Sequence, residues 1–226
     1  MKYYYDLHIH TCLSPCGDIL MTPNNILNMA YLKELDIIAI TDHNSTLQLP
    51  SIMELSSSYN MLVIPGVEVS TKEGYHVVCL FKSLNDANAF QSVLENFLNK
   101  TLYDKNMYGE QQILDVNDEV VAEIDYHLPP NTNLNVDRLN EVVKKIGGVL
   151  ILAHPHKYKN LEISDEFIAK FDGIEVNKKD PNHVYNLQKK NFNNSDAHQI
   201  TDISERESYI ELDELSIDAF FKYMES

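Results

Sequence analysis

An α/β fold on a mostly parallel sheet, open or closed, is what this sequence predicts. Short apolar runs of strand length alternate with amphipathic segments of helical period. The chain has 226 residues, a length suited to one large domain. Residues of metal-ligand type recur where the apolar runs end. Hydrophobic residues make up 44% and charged residues 23%, a balance that excludes disorder and collagen-like repeats.

Each element has its own signal. Tyr3–His8 is a β-prone run. Thr22-Pro23 supplies an N-cap and a proline at the first helical position, and Ile26, Leu27, Ala30 and Tyr31 follow at helical spacing. Asp36–Thr41 is a continuous apolar strand, a helix is expected from about Leu49 to Ser57, and Met61–Ser70 and Tyr75–Phe81 are strands. The link Thr71-Lys72-Glu73-Gly74 is too short for a parallel crossover, which takes about a dozen residues, so Tyr75–Phe81 runs back against Met61–Ser70. One reversed strand makes the expected barrel a distorted one. Asn85–Lys100 places Ala89, Phe90, Val93, Leu94, Phe97 and Leu98 on one helical face. The polar stretch from about Thr101 to Asn133, with a short hairpin around Val116–Ile124, reads as an excursion. The chain is therefore expected to be a single domain over 1–226 with an insertion at about 84–133. Helix Asn135–Ile146, strand Val149–Ala153, helix Asp165–Lys170, strand Gly173–Val176 and helix Pro181–Lys190 continue the alternation. Strands Asn191–Asp196 and Glu207–Leu212 and a helix near Ser216–Met224 complete it.

Thirty-four acids against eighteen bases give a net charge of −16, and only Arg138 and Arg206 are arginines. Such a far field repels anionic membranes and duplex nucleic acid, so neither a membrane nor duplex DNA is an expected partner. Any phosphate handled here must be drawn in by a strong local positive centre. No apolar run approaches the ~18 residues of a membrane helix. Cys12, Cys16 and Cys79 are too few and odd in number for a disulfide framework and are expected to be free thiols. With no signal-peptide pattern at the start, the expected location is the cytoplasm.

Seven of the nine histidines, His8, His10, His43, His76, His154, His156 and His198, lie at or just beyond strand signals. His8 and His10 stand at i and i+2, on one side of a continuing strand. Two imidazoles that close cannot both hold a proton cheaply, and a shared metal resolves the conflict. Alone, a His-x-His pair is as well explained by a partly exposed strand, and an isolated Glu68 or His154 by a cap or a solvated loop. Five strand ends each delivering His, Asp or Glu point instead to one shared metal site at the mouth where such ends converge. The reversal of Tyr75–Phe81 returns His76 to the same mouth as Glu68.

The order His8-x-His10, Asp18, Thr41-Asp42-His43, Gly66-Val67-Glu68-Val69-Ser70, His76, Ala153-His154-Pro155 and Ser195-Asp196-Ala197-His198 resembles the PHP (polymerase and histidinol phosphatase) family over residues 3 to about 200. The resemblance implies a distorted (β/α)7 barrel that hydrolyses phosphoesters with up to three divalent metals. It assigns His8, His10, Glu68 and Asp196 to one metal, Glu68, His76 and His154 to a second, and Asp18, His43 and His198 to a third. Histidinol phosphatases place a histidine where Asp18 falls, so the aspartate is more like the branch that cleaves nucleotide phosphates and trims short RNA.

Mixed histidine and carboxylate ligation suits Zn²⁺, Mn²⁺ or Fe²⁺ better than Ca²⁺ or Mg²⁺. Three divalent cations outweigh the three carboxylates, giving an acidic protein a cationic floor that supplies hydroxide for attack on phosphorus. Glu68, Asp196, His198, Asp42 and His156 are the candidate catalytic residues, His156 as a leaving-group acid and Asp42 as an orienting group. Lys157 is the candidate substrate contact, and Glu175 a candidate support for the ligands. His127 and His183 match nothing and read as surface residues. The expected substrate is a small phosphorylated metabolite, a nucleotide or a short RNA. Histidinol phosphate hydrolysis and a metal-stabilised module without turnover are the alternatives. No Walker loop, dinucleotide-binding glycine motif or nucleophile-elbow serine occurs, which leaves motors, Rossmann redox enzymes and serine hydrolases without support.

Overall fold

Parallel pairing with intervening helices dominates the chain. The computed structural model describes residues 1–158, 161, 163–176 and 189–226. The strands are β1 Lys2–Ile9, β2 Ile37–Ile40, β3 Leu62–Ser70, β4 His76–Leu80, β5 Gln112–Leu114, β6 Val120–Glu123, β7 Val149–Leu152, β8 Gly173–Glu175, β9 Lys190–Phe192 and β10 Tyr209–Glu211. The helices are α1 Pro23–Leu32, α2 Leu49–Ser56, α3 Leu84–Leu94, α4 Lys105–Tyr108, α5 Val136–Ile146, α6 Asp165–Ile168 and α7 Ile217–Glu225. The expected helix Pro181–Lys190 and His183 lie outside the described residues, apart from the last two positions of that range.

Among the described residues an eight-stranded sheet runs in the order β10-β1-β2-β3-β4-β7-β8-β9, and β5 and β6 pair apart from it. Beyond β9 the chain rejoins the first strand: Ile9 and Ala197 form a parallel bridge, and the His10 N–H donates to Ala197 O at 3.0 Å. The sheet thus curls back on itself as a distorted barrel of the expected class. β4 is antiparallel to both β3 and β7, as the short Thr71–Gly74 link requires. β10 is antiparallel to β1, so two strands are reversed where one was expected.

Residues of one parity on the strands, among them Tyr5, Leu7, Ile37, Ala39, Ile64, Val78, Leu80 and Ile151, gather with Phe220 and Phe221 of α7. Residues of the other parity, including Ile38, Ile40, Val63, Val77 and Cys79, pack under α1, α2, α3 and α5. Every residue of β2 is buried on both faces, the mark of a strand covered by helices on one side and barrel on the other.

The helices start where capping chemistry allows. Thr22 accepts from the Asn25 N–H ahead of Pro23, Asn135 caps α5, and Ser216 caps α7. α3 ends at Leu94, earlier than its apolar pattern predicts, and a 3₁₀ turn over Glu95–Phe97 follows. Its Ala87, Phe90 and Leu94 join the same core as α5, so α3 belongs to the helical layer of the barrel. The excursion proper comes after it. Its hairpin is built from Gln112–Leu114 and Val120–Glu123, with Val116 in the turn region rather than in a strand.

That excursion lies along the loops that follow β1, β2 and β3. Asp118 accepts from Thr22 Oγ1 at 2.6 Å, and the Leu114 N–H donates to Gln48 Oε1 at 2.9 Å. Asn44 Nδ2 donates to Leu128 O at 2.7 Å, and the Thr132 N–H to Ser70 O at 2.8 Å. It therefore rims the mouth at which the strand ends converge. Among the described residues no helix is long and apolar enough to cross a membrane.

Candidate metal centre

The ends of six strands (β1, β2, β3, β4, β7 and β9) supply the centre, and a change of register aims the first of them. The β1–β2 pairing shifts between Asp6 and Ile9. Leu7 belongs to the inward cluster, whereas Ile9, two residues on, packs under the helices. Strict alternation would send His8 to the outer face; the irregularity turns His8 and His10 inward together. On β3, Glu68 keeps the parity of the inward residue Ile64, and on β4 His76 keeps that of Val78 and Leu80. His154 and Asp196 follow β7 and β9 with φ of 29° and 55°, a left-handed backbone that redirects each side chain. Such conformations cost about 1–3 kcal/mol each and persist where surrounding contacts hold them.

The ligand atoms converge. His8 Nε2 lies 3.1 Å from His10 Nε2, 3.4 Å from Glu68 Oε1 and 3.4 Å from Asp196 Oδ1. His10 Nε2 lies 3.4 Å from Glu68 Oε2 and 3.3 Å from Asp196 Oδ1. Glu68 Oε2 is 2.9 Å from His43 Nδ1, while its Oε1 is 3.0 Å from both His76 Nδ1 and His154 Nε2. Glu68 is fully buried among five imidazoles, and its Oε2 has no hydrogen-bond partner.

A tetrahedral cation about 2.0–2.1 Å from its ligands sets them about 3.3 Å apart, which is the spacing of His8, His10, Glu68 and Asp196. The unbonded Glu68 oxygen and the nitrogens and carboxylate oxygens crowded around it are what a bound cation would satisfy. The donor set therefore fits a divalent metal. Among the described residues, three groups of side chains have ligand atoms within 4.8 Å of one another: His8–His10–Glu68–Asp196, His43–Glu68–His76, and His10–His43–His198.

Electrostatics follow from the crowding. Burial opposes charge on His8, but Glu175, Glu68 and Asp196 outweigh it and raise the imidazole well above its ordinary value. Burial likewise opposes charge on His10, yet the neighbouring Asp196 and Glu68 carboxylates push it up to about 8. Burial works against ionising Glu68, and His8, His43, His10 and His154 nonetheless hold its carboxyl well below the usual carboxylate range. Asp196 is held low by His8 and His10 against the same burial cost. His198 falls to about 4, through burial and the neighbouring His10. The carboxylates stay anionic and the imidazoles compete for protons, so the centre favours a compact positive charge.

Outer contacts orient the ligands. Glu175 Oε1 is 2.8 Å from His8 Nδ1 and accepts from Asn194 Nδ2 at 2.8 Å, and its Oε2 accepts the His154 N–H at 2.8 Å. This is the supporting role expected of it. Lys157 Nζ donates to Asp196 Oδ2 at 2.6 Å, leaving Oδ1 toward the histidines. His156 and Lys157 line a groove of about 660 Å³ that also takes in His154, Glu175, Asn194 and Asp196.

Two sequence-derived candidates stand elsewhere. Asp18 is exposed, its Oδ1 accepts the Leu20 N–H at 2.8 Å, and it belongs to none of the three groups, where His10 occupies its expected place beside His43 and His198. Only its backbone reaches the centre, through an N–H donated to His198 O at 2.8 Å. Asp42 is 2% exposed and bonds Thr11 and Ser14 rather than the His43 ring. Sequence reasoning passed over Thr11 and Ser14, since single hydroxyls between two motifs carry no periodic or spacing signal. His127 is not a free surface group: it stacks on Tyr103 with ring centroids 5.7 Å apart and meets Tyr108 at a tilt, 4.4 Å away. All three cysteines are free thiols.

The chain matches the PHP domain family over residues 6–178. It is 36% identical over 180 residues to an uncharacterised protein of Methanocaldococcus jannaschii, covering 76% of this chain and 79% of that one. It is 41% identical over 69 residues to the 5′-3′ exoribonuclease Rnm of Salmonella typhimurium, covering 30% of this chain and 22% of that enzyme. Endonuclease Q from Pyrococcus furiosus superposes with a TM-score of 0.71 at 18% identity, covering 99% of this chain and 56% of that one, so the chain spans little more than half of its length.

A complex of endonuclease Q, TM-score 0.72 and 18% identical, contains a 27-mer duplex with an abasic lesion at the active site and is covered over 57% of its length by all of this chain. That complex corrects the exclusion of duplex DNA drawn from net charge. A far field acts on average, and endonuclease Q, which shares this fold, is seen with a duplex bound. This chain belongs to the PHP domain family, a family of metal-dependent hydrolases.

Proposed function

We propose that this protein is a metal-dependent phosphoesterase acting on small phosphorylated substrates, nucleotides or short oligonucleotides above all. The observation that carries the reading is the His8–His10–Glu68–Asp196 constellation, whose Asp196 also lines an open groove. His8, His10, Glu68 and Asp196 would hold one divalent ion, Glu68, His76 and His154 a second, and His43 and His198 a third. For the third ion His10 is nearer than the Asp18 carried over from the family. Zn²⁺, Mn²⁺ and Fe²⁺ suit this donor set. Bound there, divalent cations supply Lewis acidity: charge for the phosphoryl oxygens and easier ionisation of water.

The chain's own groups do the rest. Lys157 holds Asp196 in place and presents its ammonium to the groove, where a substrate phosphate would lie. His156 lines the same groove, which supports a role for it as the acid that protonates a departing oxygen. The groove volume of about 660 Å³ falls within the range of small-molecule sites and supports a mononucleotide-sized substrate. The exoribonuclease match supports nucleic-acid phosphodiesters within that class.

Protein loaded with Mn²⁺, Zn²⁺ or Fe²⁺ is expected to hydrolyse nitrophenyl phosphate or bis-nitrophenyl phosphate. A panel of mononucleotides, 3′,5′-bisphosphates, dinucleotides, short RNA, abasic duplex and histidinol phosphate then assigns the substrate. Failure of every compound with all three metals would overturn the enzyme reading and leave a metal-stabilised binding module.

A further inference from the structure

Asp42 and Ser14 sit behind the metal centre, and proton counting gives them a role. Ser14 Oγ lies 2.7 Å from Asp42 Oδ1, 3.0 Å from His10 Nδ1 and 3.1 Å from the His43 backbone nitrogen. Asp42 Oδ1 also accepts the Thr11 N–H at 2.7 Å, and Oδ2 accepts Thr11 Oγ1 at 2.7 Å. His10, Thr11 and Ser14 are fully buried and Asp42 is 2% exposed, so water is not available to complete these bonds.

A serine hydroxyl has one proton and two acceptor sites. An ionised carboxylate only accepts, so the single Ser14 proton goes to Asp42. The His43 backbone N–H can only donate, and it takes one acceptor site. The remaining contact, at 3.0 Å, is satisfied only if His10 Nδ1 donates. A neutral imidazole protonated at Nδ1 has its lone pair on Nε2, the atom facing His8, Glu68 and Asp196.

We infer that Asp42 is a positioning residue that acts through Ser14 to lock His10 in its Nδ1–H form, with Nε2 bare toward the metal. Glu175 does the same for His8 by direct contact at 2.8 Å. His10 lacks a carboxylate at that distance, and the serine relays one. Outer partners of metal-bound histidines typically contribute 10- to 100-fold in affinity, by fixing ring orientation and tautomer. The same hydroxyl accepts the His43 N–H, so the relay also fixes the backbone of a second ligand. This role rests on the metal reading above.

The test has two readouts besides activity. In alkaline buffer, long-range ¹⁵N imidazole spectra of the metal-free wild type are expected to show His10 protonated on Nδ1; protonation on Nε2 would overturn the relay. Competition with a chromophoric chelator is expected to show Ser14→Ala and Asp42→Ala each weakening Mn²⁺ or Zn²⁺ binding about 10- to 100-fold. The double variant should lose no more than the weaker-binding single variant, because the two act in one chain.

Asp42→Asn should bind close to wild type. Its carbonyl oxygen can still face the Thr11 N–H and the Ser14 hydroxyl, which makes it the rescue that a merely structural role would not predict. Folded Ser14→Ala and Asp42→Ala proteins with wild-type affinity would sink the proposal. A wild type that takes up no divalent ion would instead sink the metal reading and this proposal with it.

Discussion

Glu68 is the residue on which most of the centre depends. It is fully buried, and each of its oxygens faces imidazoles at 3.4 Å or less. Replacing it with glutamine keeps the shape and removes the negative charge shared between two proposed ions. Glu68→Gln is expected to lower metal content and weaken binding by more than about 100-fold, beyond what a supporting residue contributes. Activity should fall with it while circular dichroism stays native. Elemental analysis of the purified variant checks this, and unchanged stoichiometry would contradict the bridging role. Glu68 was legible in the sequence because it ends a β-rich run beside a reversed strand carrying His76. Ser14 was not, because its role depends on three partners brought together only by folding: Asp42 and His43 from a second strand end, and His10 through the local turn.

Secondary-structure elements follow the local chemistry closely. Helix α5 reads from Asn135 as its cap to Gly147, which has φ of 85° and follows the last helical residue. A Cβ on Gly147 would meet nothing within 4 Å, so its cost is conformational alone. Gly147→Ala is expected to lower stability by about 1–2 kcal/mol, the penalty of a left-handed alanine, with metal affinity unchanged. Urea unfolding followed by circular dichroism measures it. The antiparallel course of β4 was legible because a four-residue link leaves no alternative. The reversal of β10 was not, since it depends on which edge of the sheet is free when that strand arrives. The register shift in β1 was equally hidden, because a one-residue irregularity leaves the apolar pattern on each side intact.

At the scale of the whole molecule the net charge of −16 surrounds a locally cation-seeking floor. Far-field repulsion of an anionic substrate is screened by salt, whose Debye length falls from about 30 Å at 0.01 M to about 8 Å at 0.15 M. The value of kcat/KM for a dianionic phosphomonoester is therefore expected to rise about two- to threefold across that range. A basic nucleic-acid enzyme would show the opposite slope. Steady-state assays in sodium chloride of increasing concentration distinguish the two, and a fall with salt would show that local positive charge governs encounter. Endonuclease Q, with a duplex bound to the same fold, shows that net charge by itself does not exclude a polyanionic partner.

Amino-acid order alone determined the alternation of strands and helices, the return of β4 and all but Asp18 of the side chains expected to gather at the candidate centre. Each of these is written in periodicity, link length or residue type along neighbouring positions. Tertiary structure alone decided that His10, and not Asp18, lies beside His43 and His198, and that Asp42 faces a serine instead of the His43 ring. It also decided that the irregular end of β1 turns two histidines inward. Those outcomes depend on distances between segments far apart in the chain, and the backbone angles that set them leave no mark on composition.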